Sequence, residues 1–181
     1  MLVAALLACS SALATVPAGA GAASACRNAN LQPTGSNGAA IDAATLCLID
    51  QLRLANHLAP LRANLALGTV AASQVSSMIS ANYFADVRPT GQTPMSLVAV
   101  SRYRRHTAHI SVGQTIAWGS VVYSTPASIV AAWMASPPHR AIILGAQFRD
   151  AGAAVVPQLP SVLGAGSAGA VYAIELGARH R

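Results

Sequence analysis

The sequence lacks lysine and has few acidic residues. All eleven basic residues are arginine, and the only acids are Asp42, Asp50, Asp86, Asp150 and Glu175. Charged residues make up 9% of the 181 positions and aromatic residues 4%. A chain this apolar is not intrinsically disordered, and no apolar run after the first 25 residues reaches the roughly 20 needed to cross a bilayer. Any mechanism that uses several carboxylates must draw on those five.

The net charge of +6 raises the question of nucleic-acid binding. Such binding needs basic residues gathered on one face, often beside aromatic side chains. The only dense basic run is Arg102, Arg104 and Arg105 around Tyr103. The sequence therefore favours a solvent-exposed basic face or an attraction to anionic polymers of the cell envelope, and it predicts no nucleic-acid partner.

Residues 1–25 have the order of a secretory signal peptide. An apolar stretch is followed by proline and glycine, and then by small residues ending at Ala25. The basic side chain that usually precedes the apolar stretch is missing. Cleavage after Ala25 predicts a secreted, extracellular protein of 156 residues, a length that suits one monomeric domain.

Three cysteines are present, and Cys9 would leave with the signal peptide. Cys26 and Cys47 remain, and an even pair in an exported protein predicts a disulfide bond. This bond would tie an extended lead-in, residues 26–40, to the first helix. Closing such a loop stabilises a fold by ~3 kcal/mol.

Helical spacing predicts a first helix that is capped by Asp42 and has Arg53 facing solvent. It predicts a second helix over residues 64–82, with Gln74 on or beside the buried stripe of that helix. Shorter helices are predicted from Pro94 and Pro126, and strands around residues 110–116, 151–156 and 170–176. Helices come first and strands last, which indicates an α+β fold and excludes a doubly wound parallel sheet.

Six local patterns occur in an order that resembles the bacterial branch of the CAP superfamily, the cysteine-rich secretory, antigen 5 and pathogenesis-related proteins, also called SCP domains. They are LCLIDQLR at 46–53, PLR at 60–62, Met78 with YF at 83–84, GQTIA at 113–117, WMASPPHR with IL between 133 and 144, and FRDAG at 148–152. The resemblance implies a domain over residues 41–178. It also implies a three-layer α-β-α sandwich with a central antiparallel sheet and a cleft across it.

Many members of that family line the cleft with two histidines and two acids that can hold a divalent metal. Position by position, the first histidine falls at Asp86, the two acids fall at Gln114 and Ser136, and only His139 matches. A further histidine of bacterial members is replaced by Gln74. Zinc needs three or four Cys, His or carboxylate ligands, so we predict no metal and no cofactor. The resemblance instead implies that Asp86, Gln114, Ser136 and His139 form a polar patch that holds the cleft together or contacts a ligand.

Two functions remain open. The favoured one is a non-catalytic binding protein for a small apolar or lipid-like ligand or for a cell-envelope component. The alternative is a hydrolase that uses His139 with Asp86 or Ser136. A Ser136–His139–Asp150 triad is disfavoured because Ser136 ends a helix and lacks a strained, exposed nucleophile turn.

Glycosidase chemistry needs two suitably spaced carboxylates. No such pair can be nominated: Asp42 and Asp50 are assigned to the start and the surface of a helix, and Asp150 precedes a strand. Glu175 lies in the last strand with Ile174 and Leu176 on the opposite face.

Overall fold

The computed structural model describes residues 26–105, 107, 109–164, 166 and 168–180. None of the helices in this part of the chain is both long and apolar enough to span a membrane. The signal peptide predicted over residues 1–25, and Cys9 within it, lie outside the described residues and stay predictions.

The centre of the fold is a four-stranded sheet in the order β1-β3-β4-β2. Its strands are β1 (Arg62–Ala63), β2 (His109–Ser120), β3 (Asp150–Val156) and β4 (Gly169–His180). The three long strands are antiparallel, as expected, and the two-residue β1 adds a parallel pair at the edge of β3. The sheet is therefore mixed, with β2 as its other edge.

Helices cover both faces of this sheet. They are α1 (Gly38–Ala55), α2 (Leu65–Ser80), α3 (Pro94–Val100), α4 (Pro126–Ala135) and α5 (Pro137–Ile143). One hydrophobic cluster packs α1, α4 and α5 on the sheet, and two others pack α2 and α3 on the opposite face. This is the expected α-β-α sandwich.

Strand β4 is buried on both faces, which explains its nearly continuous apolar sequence. Side chains alternate between the faces of a strand. Tyr172 and Ile174 contribute to the cluster with α1, whereas Val171 and Ala173 contribute to the cluster with α2. The same alternation places Glu175 on the α2 face.

Side-chain caps mark the starts of α2, α3 and α4. Asn64 caps α2 by accepting hydrogen bonds from the backbone N–H groups of Ala66 and Leu67. The predicted cap at Asp42 is wrong, because α1 begins four residues earlier, at Gly38. The alanines before Asp42 are strong helix formers, so the helix extends through them.

The prediction that Arg53 faces solvent is also wrong, since its side chain is 0% exposed. The guanidinium donates hydrogen bonds to the carbonyls of Ala59, Ile143, Gly145 and Phe148, at 2.7 to 3.3 Å. Carbonyls at a helix end have no partner within the helix. Arg53 satisfies those after α5 and thereby joins α1 to α5.

The predicted disulfide is confirmed between Cys26 and Cys47, whose Cα atoms are 5.8 Å apart. Cys47 lies in α1, so the bond fixes the start of the described chain to the first helix. The buried Trp133 of α4 donates a hydrogen bond from its indole nitrogen to the carbonyl of Ile116, at 3.0 Å, and so ties α4 to β2.

Candidate functional site

A pocket of about 530 Å³, hereafter the cleft, opens along the edge strand β2, where α3 and α5 approach it. Most of its walls are apolar, and the polar side chains on them are Asp86, Gln114 and Gln147. The lining residues are Asp86, Pro94, Met95, Val112, Gly113, Gln114, Ala141, Ile142, Gln147 and Phe148. Two of the residues that the resemblance singled out, Asp86 and Gln114, therefore line the same cleft.

Gln114 of β2 lies directly opposite Glu175 of β4 in the sheet. The side-chain amide of Gln114 donates a hydrogen bond from Nε2 to Oε1 of Glu175. Gln114 is 6% exposed and Glu175 is 0% exposed. Within the described part of the chain, Oε1 of Gln114 and Oε2 of Glu175 have no hydrogen-bond partner. The pair thus leaves two buried oxygens unused.

The environment of Glu175 favours its protonated form. The pKa of Glu175 is raised from 4.5 to about 8, mainly by burial and to a smaller extent by the charge of the nearby Asp86. The hydrogen bond from Gln114 and the charge of Arg88 act in the opposite direction and offset part of this effect. At neutral pH the carboxyl of Glu175 is therefore mostly uncharged.

Asp86 is held at the rim of the cleft by the loop that follows α2. Gln74, buried on α2, donates hydrogen bonds from Nε2 to the carbonyls of Ala85 and Asp86, at 2.9 and 3.3 Å. Its Oε1 accepts a hydrogen bond from Arg88 at 3.0 Å. The expectation that Gln74 lies on the buried stripe of this helix is met, and its role is to position this loop.

His139 of α5 lies close enough to Asp86 to influence its titration. Partial burial raises the pKa of Asp86, and the charge of His139 lowers it. Ser136 precedes α5, and its side chain makes no capping hydrogen bond. Ser136 is not among the residues that line the cleft. Of the four residues predicted to cluster, Asp86 and Gln114 line the cleft, and His139, like Ser136, is not among the lining residues.

The carboxylate of Asp150 is hydrogen-bonded to two other side chains. It accepts hydrogen bonds from the hydroxyl of Tyr103 at 2.8 Å and from Nε of Arg62 at 3.0 Å. Across the described residues, no hydrogen bond joins it to Ser136 or His139. This arrangement gives no support to a catalytic triad.

Glu175 is the residue that sequence reasoning missed. The signal was present, because it is the only charged residue between Gly169 and Ala178 in a strand that is otherwise apolar. A carboxyl placed there must find a hydrogen-bond partner or lose its charge. Such perturbed acids concentrate at functional sites.

The cleft does not fit a metal ion. No group of three or more His, Cys, Asp or Glu side chains that could hold a metal occurs among the described residues. Metal ligands must be deprotonated, whereas the environment of Glu175 favours its proton.

A second pocket, hereafter the groove, lies between α2 and α3 and has a volume of about 690 Å³. Leu65 and Val100 in its walls are 88% and 83% exposed. Arg102 is its only charged residue, and it makes no ion pair with any described residue. The lining residues are Leu65, Ala66, Thr69, Val70, Ser73, Leu97, Val100, Ser101 and Arg102.

The α-β-α sandwich with a cleft at its sheet edge defines the class of protein. The sequence model of the CAP family, described as the cysteine-rich secretory protein family, matches residues 46–159. This range covers more than half of the chain, which therefore belongs to the CAP family. No curated protein sequence matches the chain.

Solved bacterial structures share this fold. An outer surface protein of Borrelia burgdorferi has a TM-score of 0.58 at 17% identity, covering 75% of this chain and 90% of its own. An extracellular SCP-domain protein of Bacillus anthracis has a TM-score of 0.63 at 19% identity, covering 80% of this chain. A cysteine-rich secretory protein of Staphylococcus aureus has a TM-score of 0.54 at 14% identity, covering 79% of this chain. The match spans only 44% and 40% of the latter two proteins.

Proposed function

We propose that this CAP-family protein acts outside the cytoplasm as a non-catalytic binding protein, and that it holds a lipid-like molecule with an acidic head in the groove between α2 and α3. The observation that carries the proposal is the groove itself. Its volume of about 690 Å³ falls in the range of small-molecule pockets, roughly 300–1,000 Å³. Its walls are mostly apolar, as such pockets require.

The walls of the groove favour an acyl chain. Leu65 and Val100 expose most of their surface to water. Covering apolar surface releases roughly 25 cal/mol for each Å² removed from water, or about 0.8 kcal/mol for each methylene group of the ligand. A chain lying between α2 and α3 would gain this energy along its length.

Arg102 supports an acidic head group. It lines the groove and has no ion-pair partner among the described residues. A guanidinium forms two parallel hydrogen bonds with a carboxylate, which makes it a good anchor for a fatty acid. The net charge of +6 adds a long-range attraction for anions.

Three observations support a location outside the cytoplasm. The disulfide between Cys26 and Cys47 is typical of oxidising compartments. Residues 1–25 have the sequence pattern of a signal peptide. The structural neighbours are described as outer surface, extracellular and secretory proteins.

The test is a fluorescence titration of the purified protein with cis-parinaric acid and with its methyl ester. We expect Leu65→Glu to weaken binding of both at least tenfold, because it places a charge in the apolar wall. Leu54→Glu is the control, since Leu54 is an exposed leucine of α1 outside the groove. Arg102→Gln should weaken binding of the acid and leave the ester unchanged. Equal affinity of wild type and Leu65→Glu would refute the groove as the site.

The electrostatic contact between Asp86 and His139 keeps the hydrolase alternative as a second candidate. Hydrolysis of p-nitrophenyl butyrate above the rate in water, abolished by His139→Ala in a folded variant, would support it. A rate that His139→Ala leaves unchanged would exclude a hydrolase that uses this histidine.

A further inference from the structure

Exposed arginines gather at the end of the sheet where β3 begins and β4 finishes, and this group is called the arginine rim below. Asp150 is the one acid that forms ion pairs with them in the described part of the chain. It lies 3.0 Å from Nε of Arg62 and 3.9 Å from a terminal nitrogen of Arg179, whose side chains stay 72% and 43% exposed. The arginines of the rim are Arg62, Arg102, Arg104, Arg105 and Arg179. The rim therefore carries a large excess of positive charge.

Tyr103 holds the rim together. Its ring packs on Gly177, where an added Cβ would lie 2.6 Å from the ring, and its hydroxyl donates a hydrogen bond to Asp150 at 2.8 Å. The guanidinium of Arg179 lies over the same ring, 5.1 Å from its centroid, in a cation–π contact. Tyr103 is the central residue of a short 3-10 helix, Arg102–Arg104. Its contacts therefore fix the two neighbouring arginines beside Arg179.

Two exposed apolar side chains lie among these arginines. Leu65 begins α2 shortly after Arg62, and Val100 ends α3 shortly before Arg102. These two apolar side chains are 88% and 83% exposed, and both line the groove. Single exposed apolar side chains are common on protein surfaces, but here two from different helices border one groove, each next to an arginine. Positive charge and exposed apolar surface thus coincide at one end of the molecule.

We propose that the arginine rim, together with Leu65 and Val100, docks the protein on the surface of an anionic phospholipid bilayer. The arginines would donate hydrogen bonds to lipid phosphates. The two apolar side chains would enter the boundary between head groups and acyl chains, as the apolar faces of interfacial helices do. A soluble anionic polymer would contact the arginines but would not cover Leu65 and Val100, so the observations favour a bilayer.

Docking in this orientation places the groove against the bilayer. The groove would then face a source of the lipid-like ligand that the proposed function assigns to it. Binding to a bilayer does not require a ligand in the groove, however, because the arginines and the two apolar side chains are exposed without one. The docking and the proposed function can therefore be tested separately.

The first test is co-sedimentation of the full mature protein with vesicles of phosphatidylcholine, alone or mixed with phosphatidylglycerol. We expect binding to the mixed vesicles only, and weaker binding at about 0.5 M than at about 0.1 M salt because salt screens the charges. An arginine near an anionic surface strengthens binding roughly fivefold. Arg104→Gln/Arg105→Gln keeps the contacts of Tyr103 and should weaken binding at least tenfold, by about the product of two such factors.

The matched control is Arg27→Gln/Arg140→Gln, which removes the same charge from two other exposed arginines. Arg27 follows the cysteine bonded to α1, and Arg140 belongs to α5, so both lie on the face of the sheet opposite the groove. This control should bind the mixed vesicles within about twofold of the wild type. Equal weakening by the two double variants, or no binding of the wild type to the mixed vesicles, would overturn the proposal.

The second test separates a bilayer from a soluble polymer. Leu65→Ser should weaken binding to the mixed vesicles about tenfold, because it removes apolar surface that the bilayer would cover. Leu54→Ser replaces an exposed leucine of α1 and should bind like the wild type. Unchanged binding of Leu65→Ser would mean that charge alone acts, as it would with a soluble polyphosphate, and the bilayer would be the wrong partner.

The variants also keep the docking surface and the groove apart. Arg104→Gln/Arg105→Gln should bind cis-parinaric acid as the wild type does, because neither arginine lines the groove. Circular dichroism establishes that each variant is folded. Loss of vesicle binding in the arginine variant then concerns the docking surface, whereas loss of parinaric acid binding in Leu65→Glu concerns the groove.

Discussion

Replacing Glu175 by glutamine tests whether a carboxyl in the middle of the sheet is protonated at neutral pH. Burial, together with Asp86, raises the pKa of Glu175 to about 8, against an ordinary value of 4.5. Glu175→Gln keeps the size of the side chain and an oxygen that can accept the hydrogen bond from Gln114. It removes only the titration, so the two proteins should differ in how their stability depends on pH.

The direction follows from proton linkage. Because the pKa is higher in the folded state, the contribution of Glu175 to stability is fully present below pH 4.5 and is lost as the pH rises through about 8. Over that interval the free energy of unfolding falls by up to ~1.4 kcal/mol per pH unit, about 5 kcal/mol in all. Such a loss is as large as the entire stability of a marginal domain.

Urea unfolding at pH 5 and pH 8, with the disulfide intact and the buried Trp133 as fluorescent reporter, measures this loss. We expect the wild type to lose about 3 kcal/mol more than Glu175→Gln between the two pH values. Parallel pH profiles of wild type and variant would show that Glu175 does not hold its proton in the folded state.

Three further substitutions test the rest of the fold. Burial raises the pKa of Asp42 to about 7, so the free energy of unfolding of the wild type should also fall between about pH 4 and 7 as Asp42 ionises. Asp42→Asn should make this fall smaller, and a pH profile of the unfolding free energy identical to that of the wild type would contradict this. Arg53→Met should lower the free energy of unfolding in urea by about 4 kcal/mol, because four carbonyls, two of them in buried hydrogen bonds, lose a charged donor. The control Arg104→Met replaces an exposed arginine and should cost less than about 0.5 kcal/mol. Gly152→Ala should lower the free energy of unfolding by about 3 kcal/mol, since the new Cβ would lie 2.0 Å from the backbone of α2. Gly35→Ala is its control, because nothing lies within 4 Å of a Cβ built there.

The positions of most elements follow from local chemistry that the sequence displays. Asn64 supplies a side-chain cap at the start of α2, and Pro94 and Pro126 occupy first-turn positions of α3 and α4, where the missing N–H costs nothing. The even pair of cysteines left after residue 25, Cys26 and Cys47, correctly predicted the disulfide. These signals are local, so they can be read without knowing what each element packs against.

Arg53 shows where local reasoning fails. A lone arginine in a helix is expected on the solvent side, because burying an unpaired charge is costly. Its partners are carbonyls near residues 143–148, some ninety positions later in the chain. Only the packing of α1 against the end of α5 reveals that these carbonyls need a donor, so helical periodicity could not have found the contact.

The cleft was predicted only in part for a similar reason. The family resemblance located Gln114 and Asp86, but the partner of Gln114 depends on the register between β2 and β4, which pairs residues 61 positions apart. The alternation of side chains along a strand predicted which face Glu175 occupies relative to Ile174 and Leu176, but not its hydrogen-bond partner. The position-by-position resemblance predicted neutral residues where the family has acids, and it did not reveal that Glu175 lies directly opposite Gln114.

The location of this carboxyl changes what it can do. Strand β2 lies at the edge of the sheet and borders the cleft, whereas β4 lies between β3 and β2 and is closed to water. An acid at position 114 would border a pocket of about 530 Å³ and could stay charged there, as a metal ligand must. The same acid at position 175 loses its solvation and favours its proton, so it can orient the amide of Gln114 but offers no charge to a cation. The carboxyl thus lies one strand away from the position where the family resemblance expects an acid, and position 114 gives the cleft a neutral amide in place of a charge.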